Sequence, residues 1–243
     1  MRIITVPCLQ DNYAYLVDAG SACAVVDPSE PEPVVAALKR EGLKLTHILN
    51  THHHGDHTGG NRALKEMFGA LVVGPESDSH RIPAIDIGVG EELGWEFAGR
   101  KVTVLEVPGH TLGAITFVIE GNAFTGDTLF VMGCGRVFEG DPAMMVASLA
   151  KLAALPDETK IWCGHEYTAT NGRFALTLEP GNAALQAKMK SLRQPSVPST
   201  LAEEKATNPF LRTASAEIRK SIGMEKADAV SVFADIRERK NRF

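Results

Sequence analysis

The stretch Leu45-Thr46-His47-Ile48-Leu49-Asn50-Thr51-His52-His53-His54-Gly55-Asp56-His57 decides the fold. Its first half, Leu45–Asn50, is short and apolar and reads as a buried strand. Its second half sets four metal-competent side chains in an H-x-H-x-D-H pattern directly after that strand. Imidazole suits zinc and other borderline first-row ions, and a carboxylate adds charge neutralisation. In locally extended chain, alternate residues point the same way. His52 and His54 can therefore face one ion while His53 turns away. Asp56 and His57 lie at the mouth of the next helix, read as Thr58–Phe68 and ended by Gly69, and can reach a second point.

Working outward, three more metal-competent residues share one placement. His110 sits in Val107-Pro-Gly-His-Thr111, Asp127 in Thr125-Gly-Asp-Thr-Leu129, and His165 in Cys163-Gly-His-Glu166. Each lies in a glycine-flexed turn directly after a strand pattern, where active-site groups of α/β proteins gather. A lone His or Asp in such a turn is usually a capping residue; the repeated placement argues for a set. Five of the eight histidines and two aspartates then become ligands. That is too many for one tetrahedral ion, so two metals are expected, with Asp127 able to bridge them. Two ions about 3.5–4 Å apart can hold a hydroxide between them, which is hydrolytic machinery without a Ser or Cys nucleophile. Zinc, iron and manganese all suit the donor set. The leftover His47, His53 and His80 need only structural or surface roles.

The first two-thirds of the chain alternate between strands and helices. Arg2–Val6, Tyr13–Asp18, Cys23–Asp27, Lys101–Val107, Ala114–Ile119, Ala123–Thr125 and Ile161–Cys163 read as strands. Pro31–Glu41 reads as a helix with Pro31 in its first turn and Gly42 at its stop, and Asp141–Ala154 as one with Asp141 as N-cap. After about residue 166 no convincing strand remains. Ala183–Arg193, Leu201–Ala206, Thr213–Ile222 and Ala227–Lys240 read as helices, with Pro195 and Pro198 in a linker. The expectation is an α/β domain over 1–166 followed by a small all-helical domain over 167–243.

Composition excludes several classes. Of 243 residues, 44% are apolar and 23% charged, as in ordinary globular chains. Basic residues number 25 against 30 acidic, a net charge of −5, which disfavours duplex nucleic acid and anionic membrane surfaces. No run of about 18 apolar residues could span a bilayer. The N-terminus lacks a signal-peptide pattern, and Cys8, Cys23, Cys134 and Cys163 are scattered, so reduced thiols in the cytoplasm are expected. The last eight residues oppose Arg237, Arg239, Lys240 and Arg242 to Glu238 alone. A solvated helix end would explain such a run, and so would an anion site.

The His52–His57 run, Pro108-Gly-His110, Gly126-Asp127 and Gly164-His165 resemble the metallo-β-lactamase superfamily. Further segments narrow the resemblance to glyoxalase II, the hydroxyacylglutathione hydrolases. These are Leu9-Gln-Asp-Asn-Tyr-Ala-Tyr-Leu16, Gly126-Asp-Thr-Leu-Phe-Val131, Gly133-Cys-Gly-Arg136, Cys163-Gly-His-Glu-Tyr-Thr168, Glu179-Pro-Gly-Asn182, Asn208-Pro-Phe-Leu-Arg212 and the terminal Arg237-x-x-Lys240. The resemblance covers essentially the whole chain. It implies a four-layered αββα sandwich with a small C-terminal all-helical domain. It implies His52, His54 and His110 on one metal, Asp56, His57 and His165 on the other, and Asp127 bridging. Asp56 would also orient the attacking hydroxide. It implies glutathione contacts at Arg136, Phe138, Tyr167, Arg237 and Lys240.

The implied reaction is hydrolysis of S-(2-hydroxyacyl)glutathione, typically S-D-lactoylglutathione, to glutathione and D-lactate, the second step of methylglyoxal detoxification. A monomer acting on this small-molecule thioester is expected. Two departures stand out: Gly55 replaces a bulky aromatic of many members, and Phe138 replaces a Tyr of some. Alternatives of the same superfamily are a glutathione persulfide dioxygenase, a lactonase or β-lactamase, and a nuclease. A noncatalytic metal-dependent scaffold is a rival of another class. Cys134 has no His/Asn partner pattern that would make it a catalytic thiol, and Cys163 reads as a small buried hydrophobe.

Overall fold

The computed structural model describes Met1–Phe243, and the chain divides into two compact units. The first comprises residues 1–106 and 113–126, the second 107–112 and 127–243.

The first unit opens with β1 (Arg2–Cys8), β2 (Asn12–Asp18) and β3 (Cys23–Val26), followed by α1 (Pro31–Glu41) and β4 (His47–Leu49). Then come α2 (Gly55–Thr58), α3 (Asn61–Phe68), β5 (Leu71–Pro75), a short 3-10 helix (Glu76–Arg81) and β6 (Ile87–Val89). The order in the sheet is β1-β2-β3-β4-β5-β6, antiparallel up to β3 and parallel beyond it. β7 (Trp95–Phe97), β8 (Arg100–Glu106), β9 (Ile115–Ile119) and β10 (Asn122–Gly126) follow one another as an antiparallel meander.

Alternation sorts the side chains of the first sheet. Leu16, Cys23, Val25, Ile48 and Val72 point to one face, where Val34, Ala37 and Leu38 of α1 and Leu64 of α3 cover them. The other face meets the meander: Tyr15 lies against Phe124 at 5.8 Å between ring centroids, and His47 against Phe97 at 5.3 Å. Fully burying each such aliphatic or aromatic side chain stabilises the fold by about 1.5–3 kcal/mol.

The expected single helix Thr58–Phe68 is two pieces, α2 and α3, separated by Gly59 and Gly60. The reason is steric. A Cβ on Gly59 would collide with the Ser29 carbonyl, and one on Gly60 would come within 2.9 Å of the Pro28 carbonyl. The glycine pair lets the chain after β3 pass against the helix, and Gly60 N donates to Pro28 O at 2.8 Å.

The second unit holds the hairpin β11 (Leu129–Phe130) and β12 (Gly133–Cys134), α4 (Pro142–Ala153) and β13 (Lys160–Cys163). Next are α5 (Thr168–Leu178), α6 (Ala183–Lys190), β14 (Ser199–Thr200), α7 (Leu201–Thr207), α8 (Ala216–Ile222) and α9 (Ala229–Asn241). α4 starts as expected, with Asp141 accepting from Met144 N and Pro142 in its first turn. α5 and the two-residue β14, paired with β13, carry no clear signature in the residue pattern. α7 carries a full capping box between Thr200 and Glu203.

The hairpin is bolted to α7. Fully buried Glu204 accepts from Met132 N at 2.7 Å, and Asn208 donates to Phe130 O at 3.1 Å and Gly133 O at 2.9 Å. Lys188 Nζ, 3.2 Å from Glu204, balances its charge. No helix in either unit is long and apolar enough to cross a membrane.

Candidate metal centre

In the first unit the His52–His57 run leaves the C-terminal end of the parallel strand β4, a usual place for ligands in open α/β sheets. Its start is locked to the neighbouring strand end. Asp27, after β3, accepts from Thr51 N at 2.8 Å and Thr51 Oγ1 at 2.6 Å, and its Oδ2 lies 3.0 Å from His57 Nδ1. Thr51 Oγ1 in turn lies 3.0 Å from His52 Nδ1. Sequence reasoning missed Asp27. The available signal was a strand-end Asp before Pro28, the same placement that singled out Asp127.

Asn12, opening β2, donates to Asp56 Oδ2 at 3.1 Å, and Asn50 Nδ2 donates to His57 O at 3.0 Å. These bonds hold α2, which carries Asp56 and His57.

The ligand atoms within this unit converge. His52 Nε2 and His54 Nδ1 are 3.2 Å apart, and His57 Nε2 lies 3.7 Å from Asp56 Oδ2. Two nitrogens on one tetrahedral zinc, each bonded at about 2.0–2.1 Å, stand about 3.3–3.4 Å apart. The spacing of the His52–His54 pair is close to that edge. Asp27 engages Nδ1 of His57, which leaves Nε2 for an ion; this is the usual support of a ligating imidazole.

The second unit holds His110, Asp127 and His165. Asp127 Oδ2 lies 3.5 Å from His110 Nε2 and 3.3 Å from His165 Nε2, so one carboxylate oxygen serves two imidazoles. His110 Nδ1 is 2.8 Å from Arg136 O. Glycine is required beside this pair: a Cβ on Gly135 would collide with Asp127 O and reach 3.0 Å from His110 Nδ1. All three residues are buried. The donor chemistry of both units fits divalent ions.

The five residues expected at glutathione all lie in the second unit. Phe138, 61% exposed, leans on the His110 ring at 5.2 Å between centroids. Tyr167 stacks nearly parallel on His165 at 4.8 Å. Arg136 is exposed. Arg237 is only 8% exposed; it donates to Cys134 O at 2.7 Å and to Asn241 Oδ1 at 3.1 Å, with its guanidinium 5.0 Å over the Phe210 ring. Lys240 Nζ lies over Phe243 at 5.6 Å and Phe174 at 5.8 Å. Burial, followed by the nearby charges of Arg237, Arg136 and Arg173, holds the Lys240 pKa below its ordinary value. Such clustered cations favour an anion. Arg173, on α5, joins this group without belonging to any of the motifs.

The remaining candidates settle into structure. Burial pushes the Cys134 thiol up to about 11 and the Cys163 thiol up to about 12. Neither ionises near neutral pH, so neither serves as a nucleophile. His47 packs edge-on against Phe97, and burial lowers its pKa.

Comparison with known proteins bears on the family and the fold. Residues 9–165 match the family model "Metallo-beta-lactamase superfamily", and residues 166–243 match "Hydroxyacylglutathione hydrolase C-terminus". The chain is 50% identical to a hydroxyacylglutathione hydrolase of Methylococcus capsulatus and 51% identical to one of Cereibacter sphaeroides. Each match covers 100% of this chain and 99% of the relative. Among solved structures, ETHE1 from Myxococcus xanthus is similar with a TM-score of 0.72 at 26% identity, over 99% of this chain and 92% of that one. TTHA1623 in a di-iron-bound form is similar with a TM-score of 0.63 at 29% identity, over 87% and 100%. The fold is thus the αββα metallo-β-lactamase class with a helical C-terminal region, as expected. By whole-length identity and by both family models, the chain belongs to the hydroxyacylglutathione hydrolase family of the metallo-β-lactamase superfamily.

Proposed function

We propose that the protein hydrolyses the thioester of S-(2-hydroxyacyl)glutathione, of the S-lactoylglutathione type, releasing glutathione and a 2-hydroxy acid. The observation that carries this is the placement of Asp127 Oδ2 within 3.3 and 3.5 Å of two imidazole nitrogens, in a chain half identical to named hydroxyacylglutathione hydrolases. His52, His54 and His110 would hold one divalent ion, and Asp56, His57 and His165 the other, with Asp127 serving both. Zinc is the proposed metal; iron and manganese also suit these donors. When bound, the ions supply Lewis acidity and a water acidified toward neutral pH.

The side chains do the rest. Asn12 aims the Asp56 carboxylate, and Asp27 and the Arg136 carbonyl fix the ring orientations of His57 and His110. Arg136, Arg237 and Lys240 would meet the carboxylates of the tripeptide, and Phe138 and Tyr167 its apolar parts. The leaving thiolate has a conjugate acid near 8.5, so no strong general acid is needed. We assign catalysis to residues 1–166, which also bring Arg136 and Phe138 to the substrate, and the remaining substrate contacts to 167–243; the two family models meet one residue earlier, between 165 and 166. A cytoplasmic monomer, binding neither nucleic acid nor membrane, completes the reading.

Elemental analysis of the purified protein, paired with a lactoylglutathione hydrolysis assay, tests it. Two metals per chain and rapid hydrolysis are expected. Metal without turnover would refute it, and oxygen consumption with glutathione persulfide would replace it with a dioxygenase.

A further inference from the structure

His53 is the one histidine of the His52–His57 run that the metal centre does not use. Its ring centroid lies 4.8 Å from that of His54, the same separation as between His52 and His54. His53 is therefore near enough to pair with His54, although its ring stands 6.5 Å from that of His52. Hydrogen bonds hold it where it is. Nδ1 lies 2.8 Å from Asp78 Oδ2, and Nε2 lies 3.2 Å from Arg81 Nη1. Arg81 Nε also pairs with Asp78 Oδ1, so the three side chains close a ring of contacts. Asp78 is 1% exposed, and Gly113 backs it so closely that a Cβ there would collide with the Asp78 side chain.

The chemistry of the partners sets the tautomer. An ionised carboxylate only accepts and a guanidinium only donates. His53 therefore carries its proton on Nδ1 and spends its Nε2 lone pair on Arg81. The guanidinium also keeps a permanent positive charge at the nitrogen that a metal would seek.

We infer that Asp78 and Arg81 are positioning residues that hold His53 out of the metal centre, so that His52 and His54 chelate in a single register. This rests on the metal reading proposed above. Three consecutive histidines on one loop offer more than one way to pair; the Asp78–Arg81 clamp removes the wrong ones.

The test uses the full chain as R81Q, H53Q and the H53Q/R81Q double variant, each reconstituted with Zn(II) or Co(II). Metal per chain, the visible spectrum of the Co(II) form and thioester hydrolysis are read in parallel. H53Q is expected to keep the parent metal content and spectrum. R81Q is expected to shift the Co(II) spectrum and to lose about 10- to 100-fold in metal affinity or activity, the scale seen when side chains around a metal site's ligands are changed. H53Q/R81Q should recover both, because the competitor is gone. A double variant as impaired as R81Q would mean that Arg81 acts through general structure and would overturn the inference; so would an R81Q with the parent spectrum. If R81Q does not fold, D78N loosens the same clamp, and H53Q serves again as the rescue. A parent protein that binds no metal would bring down the metal reading itself, a result distinct from these.

Discussion

Replacing Asp27 with Asn keeps the shape of the side chain and turns one acceptor oxygen into a donor. The residue is 2% exposed, and its φ of 47° lies in the left-handed region that Asn tolerates, so the backbone contributes little to the effect. The amide oxygen can keep the 2.8 Å bond from Thr51 N. The amide nitrogen then faces Thr51 Oγ1 and His57 Nδ1. The hydroxyl can rotate and accept. His57 cannot rotate; it must move its proton to Nε2, the nitrogen the metal needs, or lose its support. Charge-assisted hydrogen bonds contribute about 1.5–3 kcal/mol each, so one lost and one weakened bond should lower stability by about 2–4 kcal/mol. The tautomer change should weaken metal binding about 10- to 100-fold, or about 1.4–2.8 kcal/mol. Urea unfolding of the metal-free protein reads the first number, and competition with a chelator reads the second. An Asp27→Asn protein equal to the parent in both would refute the reasoning.

Three further outcomes are expected. Glu179 is pushed up by burial, but hydrogen bonds from Arg212, Ser215 and Asn182 outweigh this and hold its carboxyl below the ordinary 4.5. The unfolded chain therefore takes up the proton first: the stabilisation is full above about pH 4.5 and is lost as pH falls through the folded value, and acid unfolding curves should show this loss removed in Arg212→Met. That variant strands a buried carboxylate and should cost about 3 kcal/mol in urea unfolding. All four cysteines are buried, with thiols pushed up to about 11 or 12 by burial, so a thiol reagent at pH 8 should label none in the native state and all four in urea. Lys240→Ala should raise KM for the anionic thioester with little change in kcat; in the parent, KM should begin to rise at alkaline pH below the ordinary lysine value of 10.5, because burial and neighbouring cations lower that of Lys240.

Much of this was legible in residue types. The H-x-H-x-D-H run needed no tertiary information, because its chemistry is local and its strand is announced by Leu45–Asn50. α1 and α4 were legible from proline in their first turns and their terminators. α5 was hidden by Gly172 in its middle, which reads as a helix breaker. Its reason is a neighbour far along the chain: a Cβ there would collide with the Met189 sulfur. β5, β6 and β7 are short and broken by Gly74, Gly88 and turn residues, so sheet pairing rather than pattern defines them. Asp27, Asp78 and Arg81 escaped for the same reason. Their partners are 24 to 30 residues away, and only the folded chain shows what they hold.

The bolts between Glu204, Asn208 and the β11–β12 hairpin bear on how such a chain can change over generations. A protein ending after His165 would take from Met132 N–H and the carbonyls of Phe130 and Gly133 the acceptor and donors that fix them, forfeiting about 0.5–1.5 kcal/mol for each bond and more for the one to the Glu204 carboxylate. That hairpin begins two residues after Asp127. The helical region therefore behaves as a keystone and not as a detachable cartridge. A lineage could not graft it on or shed it in one step without rebuilding, at the same time, the backbone that follows its central aspartate.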